Sequence, residues 1–124
     1  LFAVEFDRRH KANGVRATAV HPGGIFTELY RHMDKEFVKT LTAVPEEGGS
    51  PILPKSVSQG VATSLWAGIV APAEEVGGRY CEDCHVAHTV DSDGEFFGVR
   101  NYAVDPDRAK ALWGKSEQLV GEQF

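Results

Sequence analysis

The run Val15-Arg16-Ala17-Thr18-Ala19-Val20, bounded by Asn13-Gly14 on one side and His21-Pro22-Gly23-Gly24 on the other, restricts this chain more than any other feature. Short and β-branched side chains in an uninterrupted run read as a buried strand. Good helix formers fill the stretch from Leu1 to about Lys11, with Leu1, Phe2, Val4 and Phe6 as an apolar side. Asn13-Gly14 suits the left-handed turn that ends helices, so the order is helix, tight turn, strand. Pro22 cannot donate to a sheet ladder, and Gly23 and Gly24 permit backbone angles that other residues avoid. The strand therefore ends in a loop able to carry function. Because the sequence opens on apolar positions that look like the middle of a helix, a segment ahead of Leu1 is expected.

Asp34 is placed to cap a short helix bearing Phe37, Val38, Leu41 and Val44, before the Pro- and Gly-rich stretch 45–54 breaks the pattern. The whole span 28–54 reads as a mobile lid. Ser56 and Gln59 form a capping-box pattern, followed by Val61, Ala62, Leu65, Trp66 and Ile69 at helical spacing. Gly77 to Cys81 predicts a second strand, and His85 to Val90 either a third strand or loop. Asp105-Pro106 supplies a cap and a first-turn proline for a last helix with Ala109, Leu112, Trp113, Ser116 and Val120 on one face, against a cost of about 1 kcal/mol for Gly114 relative to alanine. Alternating helices and strands argue for an α/β architecture with parallel strands. Two or three strands are too few for a sheet covered on both faces, so the sheet is incomplete, its neighbours expected from a preceding segment or a second copy.

With 124 residues and 42% hydrophobic content, one domain or part of one is expected. A net charge of -5 gives no basic surface for phosphate backbones, which argues against nucleic acid as a partner. No apolar run approaches the roughly 20 residues needed to span a bilayer, no export signal is recognisable, and two cysteines are too few for a disulfide framework. A cytoplasmic, reducing location is the expectation.

The segment Val15 to Thr27, a strand running into Pro22-Gly23-Gly24-Ile25-Phe26-Thr27, resembles the region of short-chain dehydrogenases/reductases that follows the catalytic helix. Leu1 to Asn13 looks like the second half of that helix, Gly77 to Asp83 like the last core strand and Asp105 to Glu122 like the closing helix. The likeness is to retinol-dehydrogenase-like and protochlorophyllide-reductase-like members. It implies the carboxyl-terminal part of a Rossmann-type doubly wound parallel sheet, with residues 1–124 as the carboxyl-terminal half of one domain and 28–54 as its substrate lid. The implied activity is hydride transfer between NAD or NADP and an alcohol or carbonyl. Ligands of open parallel sheets bind beyond the carboxyl ends of the strands, where this loop falls. The resemblance implies that the main chain at Ile25 pairs with the nicotinamide carboxamide, that Thr27 supports that amide or the nearby phosphates, and that Pro22, Gly23 and Gly24 shape the turn. Phe26, Leu29, Tyr30, Met33 and Phe37 would make the substrate pocket apolar and fairly large, suited to a small hydrophobic compound.

The family's glycine-rich phosphate turn, Asn-Asn-Ala-Gly stretch, catalytic serine and Tyr-x-x-x-Lys pair are expected before Leu1. Tyr30, Tyr80 and Tyr102 have no lysine four positions later. The chain alone therefore carries no catalytic residue and is expected to be inactive. NAD or NADP is selected near the second strand of the nucleotide half, outside these residues. Pairing of copies is also implied, and the alternative from another class is a non-catalytic binding or assembly module using an exposed sheet edge.

Cys81-Glu82-Asp83-Cys84-His85 fits the spacing for covalent haem attachment, and Cys81, Cys84, His85 and His88 could surround zinc. Haem attachment requires export and a second axial ligand, and neighbouring side chains on a strand point to opposite faces, which makes convergence on zinc awkward. The plainer expectation is Cys84 as a small buried residue near a strand end, with His85 and His88 in loops. His21 is expected in a hydrogen-bonded structural role beside the loop, His10 and His32 in solvent. Glu46-Glu47 and the cluster Asp91, Asp93 and Glu95 lack calcium-loop spacing and read as solvated charge.

Overall fold

The computed structural model describes residues 1–25, 27–36, 38, 54–92, 95 and 97–124. Helix α1 spans Phe2–His10, tightens into a 3-10 turn at Lys11–Asn13 and ends where Gly14 takes φ 75°, donating its N–H to the Lys11 carbonyl. That left-handed angle is the one for which glycine pays no side-chain penalty. Strand β1, Ala19–His21, then pairs in parallel with β2, Tyr80–Glu82, in the register Ala19 to Tyr80 and His21 to Glu82. A short β3, His85–Val86, adds antiparallel to β2. Strands β4, Thr89–Val90, and β5, Val99–Arg100, form a separate parallel pair.

Ser56 caps helix α2, Val57–Leu65, through the expected reciprocal box: the Gln59 N–H donates to Ser56 Oγ and the Ser56 N–H to Gln59 Oε1. The helix continues as a π turn over Trp66–Val70, where the Ala71 N–H reaches back to the Trp66 carbonyl at 2.8 Å. A one-turn α3, Ala73–Val76, returns the chain to β2, and α4, Asn101–Val104, leads into α5, Pro106–Val120. Asp105 caps α5 by accepting from the Arg108 N–H at 2.7 Å.

The core is a small cluster of Ala67, Val76 and Cys81, with Val20, Trp66, Ala71 and Val86 against it. It sits between the π turn that follows α2 and the sheet, while Gly60 and Thr63, buried further up the helix, lie against Ile25 and the Cys84 N–H. Small side chains let the helix lie close to the strands. Three expectations from sequence are corrected here. The strand is shorter than Val15–Val20, and Ala19 and His21 are exposed while Val20 is half-buried, because among the described residues only one of its edges is paired and only one face is covered. The apolar stripe of α2 is not its buried face: Val61, Leu65 and Ile69 remain 46%, 49% and 78% exposed, since nothing among the described residues lies on that side. On α5, Ala109 and Trp113 are buried as expected but Leu112 and Val120 are exposed.

Helix α5 packs across α1 through aromatic rings: Trp113 stacks on Phe2 at 5.3 Å, tilts against Phe6 at 6.2 Å, and carries the Arg9 guanidinium over its face at 4.7 Å. Helix α1 also buries two carboxylates, Glu5 beside the Arg9 that lies over Trp113 and Asp7 on the opposite side of the helix. Glu5 accepts from Arg8 and Arg9, and Asp7 accepts from Arg16 and from the Ala17 N–H. Asp7 thus fixes the angle at which the chain leaves helix for strand.

Candidate functional site at the carboxyl end of strand β1

Strand β1 delivers His21 and Pro22 to the rim of the sheet, both exposed. Gly23 follows at φ 90°, an angle that disfavours any side chain. A Cβ here would lie 2.8 Å from Cδ, Cε and Nζ of Lys55, so it is the lysine stem that crosses closely over this glycine. The Lys55 N–H donates to the Gly24 carbonyl at 2.8 Å, and Ile25 forms an isolated parallel bridge with Lys55. Ile25 is half-buried, its side chain lying over Gly60 of α2, where a Cβ would come within 2.4 Å of Ile25 Cδ1. The loop is therefore held against the amino-terminal end of α2 by main chain and side chain together.

Thr27 is exposed just beyond this bridge. A 3-10 turn spans Glu28–His32, which places the main chain of Leu29 and Tyr30, and Met33 follows half-buried in a bend. Asp34 caps the next turn by accepting from the Glu36 N–H at 2.9 Å, and the Val38 N–H donates to the Asp34 carbonyl at 3.0 Å. Phe26, Phe37 and most of the expected lid lie outside the described residues. Pro22, Gly23, Gly24, Ile25 and Thr27 are thus gathered at one sheet end, with Met33 a short turn beyond.

Opposite the loop is the turn between β2 and β3. Asp83 and Cys84 both adopt left-handed angles, φ 45° and 58°, which closes a two-residue hairpin. Asp83 forms an ion pair with the Lys55 ammonium. That hydrogen bond outweighs the opposing effect of burial and holds the Asp83 carboxyl below its ordinary value, with smaller contributions from His85 and His21. The Cys84 N–H donates to Oγ1 of the fully buried Thr63 at 3.3 Å, which fastens the same turn to α2. His21 stacks on Tyr80 at 6.5 Å, and burial, helped by the Glu82 charge, pushes the Tyr80 phenol up. Sequence reasoning did not single out Lys55, Gly60, Thr63 or Asp83. Lys55 sits between Pro54 and the Ser56 cap, where its only local signal is that of a loop residue.

The cysteine expectation is corrected. Cys81 is the fully buried one, its Sγ 3.4 Å from Thr18 Oγ1, whereas Cys84 is exposed in the turn. A left-handed turn carries its side chain outward instead of into the sheet. Among the described residues no group of three or more His, Cys, Asp or Glu side chains is arranged to hold a metal ion. His10 is half-buried, not solvated, its ring 4.4 Å from that of Phe6. His32 is exposed and accepts from Arg31 Nε at 2.8 Å.

A parallel strand pair, a glycine loop beyond its carboxyl end and a helix closing over that loop define an incomplete α/β sheet of the Rossmann type. No family model matches the chain, and no solved structure matches it. Curated relatives do match. A "Probable oxidoreductase" from Streptomyces lividans is 39% identical over 109 residues, covering 86% of this chain and 37% of that protein. "Short-chain dehydrogenase/reductase prx1" from Penicillium roqueforti is 36% identical over 120 residues, covering 94% and 34%. "Retinol dehydrogenase 12" from Mus musculus is 32% identical over 124 residues, covering 100% and 34%. The chain belongs to the short-chain dehydrogenase/reductase family, and it spans about a third of the length of the curated relatives it matches.

Proposed function

We propose that this chain is part of an oxidoreductase that moves hydride between a nicotinamide cofactor, NAD or NADP, and a hydrophobic alcohol or carbonyl. The observation that carries the reading is the bridge between Ile25 and Lys55 just past the carboxyl end of a parallel strand, where open α/β sheets take their ligands. The names of the relatives point to the same class of chemistry. The loop is suited to the cofactor in its donor set: a main chain fixed at Gly24 and Ile25 can meet both the N–H and the carbonyl of a carboxamide, and the exposed Thr27 hydroxyl can donate or accept. When bound, the nicotinamide supplies or accepts the hydride. What these residues do is orient its ring, through Pro22 to Ile25 on one side and Thr27 on the other, so that one face meets the substrate. Leu29, Tyr30 and Met33, with Phe26 and Phe37, then line the substrate side, and residues 28–54 close over it.

On this reading residues 1–124 are the carboxyl-terminal half of the domain, and the proton-transfer groups belong to the part of the protein that precedes them. The 124 residues alone give no turnover. The two thiols of Cys81 and Cys84, both unpaired with each other, are in keeping with a cytoplasmic setting. Titration of the whole protein with NADH and NADPH, following the amide signals of Ile25 and Thr27, tests the proposal. Binding of one or both with shifts at those two amides is expected, and binding of neither would end the reading. A second reading, a binding or assembly module that pairs with another copy, is favoured by the exposed Val61, Leu65 and Ile69 on α2. Self-association without any nicotinamide affinity would select it.

A further inference from the structure

Lys55 lies outside the Pro22–Thr27 segment that family resemblance ties to the cofactor, yet it touches both that segment and the β2–β3 turn opposite it. Its stem lies over Gly23, its N–H donates to the Gly24 carbonyl, and its ammonium pairs with Asp83 at the tip of the β2–β3 turn. These contacts link three stretches far apart in sequence: the loop after β1, the start of α2 and the β2–β3 turn. Among the described residues the loop has one main-chain bridge, at Ile25. The turn is closed by two non-glycine residues in left-handed angles, a conformation that costs energy and is supported from outside by the Lys55 pair at Asp83 together with the Cys84 N–H bond to Thr63.

We propose that Lys55 is a positioning residue for the nicotinamide site, clasping the Pro22–Ile25 loop to the β2–β3 turn through Asp83 so that the carboxamide-binding main chain is held in place before the cofactor arrives. The inference rests on the cofactor reading given above for the ligand it serves, while the clasp itself is a property of the protein without ligand. Lys55 touches neither hydride nor substrate in this role. The lysine side chain is three-quarters buried, 25% exposed, against 45% for Asp83, so its stem is fixed by packing as well as by charge. A loop that must be ordered on binding loses affinity for the ligand, and an ordered one does not. Loss of the clasp should therefore raise the KM for the nicotinamide and leave kcat little changed, because bound cofactor reorders the loop and the chemical groups are elsewhere.

The test uses the whole protein and two variants that keep the fold. Lys55→Met retains the stem over Gly23 and removes the charge. Asp83→Asn removes the other partner, and asparagine tolerates a left-handed angle better than most residues. Each is expected to weaken the binding of its preferred nicotinamide about tenfold, with kcat within about twofold, and the double variant should be no weaker than either single one. Lys55→Arg should restore most of the affinity. Independently of any cofactor, hydrogen exchange at the Lys55 amide, which donates to Gly24, should become at least about tenfold faster in Asp83→Asn. Unchanged exchange at that amide would overturn the clasp whatever the cofactor does. If the wild-type protein binds no nicotinamide but exchange responds as expected, the cofactor reading fails and the clasp stands as a property of the loop. Additive losses in the double variant, or a fall in kcat in place of a rise in KM, would also overturn the assignment.

Discussion

Arg16 Nε and Nη2 donate to the two carboxylate oxygens of Asp7 at 2.8 and 3.2 Å, a bidentate pair that spans the turn between helix α1 and strand β1. Asp7 is 5% exposed and also accepts from the Ala17 N–H at 3.1 Å, so the same carboxylate fixes both a side chain and the backbone entering the strand. Arg16→Met leaves that carboxylate buried with one donor in place of three. The expected cost is about 2 kcal/mol, read from urea unfolding, below the full value for a deeply buried pair because Arg16 keeps some solvent contact. The arginine hydrogen bond holds the Asp7 carboxyl below its ordinary value, which gives a stability contribution that fades as pH falls toward the folded value, so the variant, having lost that contribution, should lose less stability in acid than the wild type.

Gly77 offers a separate approach to the same pair. Its backbone angles, φ -61° and ψ 127°, suit any residue, yet a Cβ there would lie 1.8 Å from Arg16 Nη2. The glycine is required by the guanidinium, not by the turn. Gly77→Ala should displace Arg16 and cost about 2 kcal/mol, whereas in an Arg16→Ala background the same change should cost less than about 0.5 kcal/mol. Equal costs in the two backgrounds, measured by denaturant unfolding, would show that something other than the arginine sets the need for glycine.

Signals that depend on neighbours in sequence were legible: the Asn13-Gly14 stop, the Ser56 and Gln59 box, the Asp105-Pro106 start and the strand at Tyr80 all fall where local chemistry puts them. What was not legible depends on partners distant in sequence. Val61, Leu65 and Ile69 follow helical spacing as well as any core stripe, but spacing says only that a face is apolar and not what covers it. Glu82 shows the converse. A glutamate at a strand end reads as solvent-facing, yet it is 3% exposed because its carboxylate accepts from the Gly98 N–H at 2.7 Å, tying β2 to the β4–β5 pair. At the candidate site the loop from Pro22 to Thr27 was readable from its glycines, while Lys55 and Asp83 were not, since their pairing exists only once three segments meet.

Glu5 gives a prediction in pH. Its side chain is 1% exposed between Arg8 and Arg9, and the Arg8 hydrogen bond above all lowers its pKa from 4.5 to about 2 against the effect of burial. A carboxyl whose pKa is lower in the folded than in the unfolded state contributes stability that is full above the unfolded value and fades as pH falls toward the folded one. The contribution should be present above about pH 4.5 and lost between there and about pH 2, amounting to roughly 2 kcal/mol after allowing for the exposure of both arginines. Glu5→Gln should flatten the acid limb of a plot of melting temperature against pH. An acid limb of unchanged slope would show that the two arginines do not stabilise the charge.

Thr27 separates binding from folding. Its side chain is exposed, so replacing it with valine, which keeps the branched shape and removes the hydroxyl, should change unfolding free energy by at most about 1 kcal/mol, the worth of one solvent-accessible hydrogen bond. If the hydroxyl supports the nicotinamide amide or a phosphate, its loss removes one hydrogen bond to a ligand group that then stays unpaired, worth about 1–2 kcal/mol. Thr27→Val in the whole protein should therefore weaken cofactor binding roughly tenfold while the protein stays folded, and Thr27→Ser should recover most of it. Equal nicotinamide affinities for wild type and valine variant would remove Thr27 from the site, leaving the main chain at Gly24 and Ile25 to hold the amide.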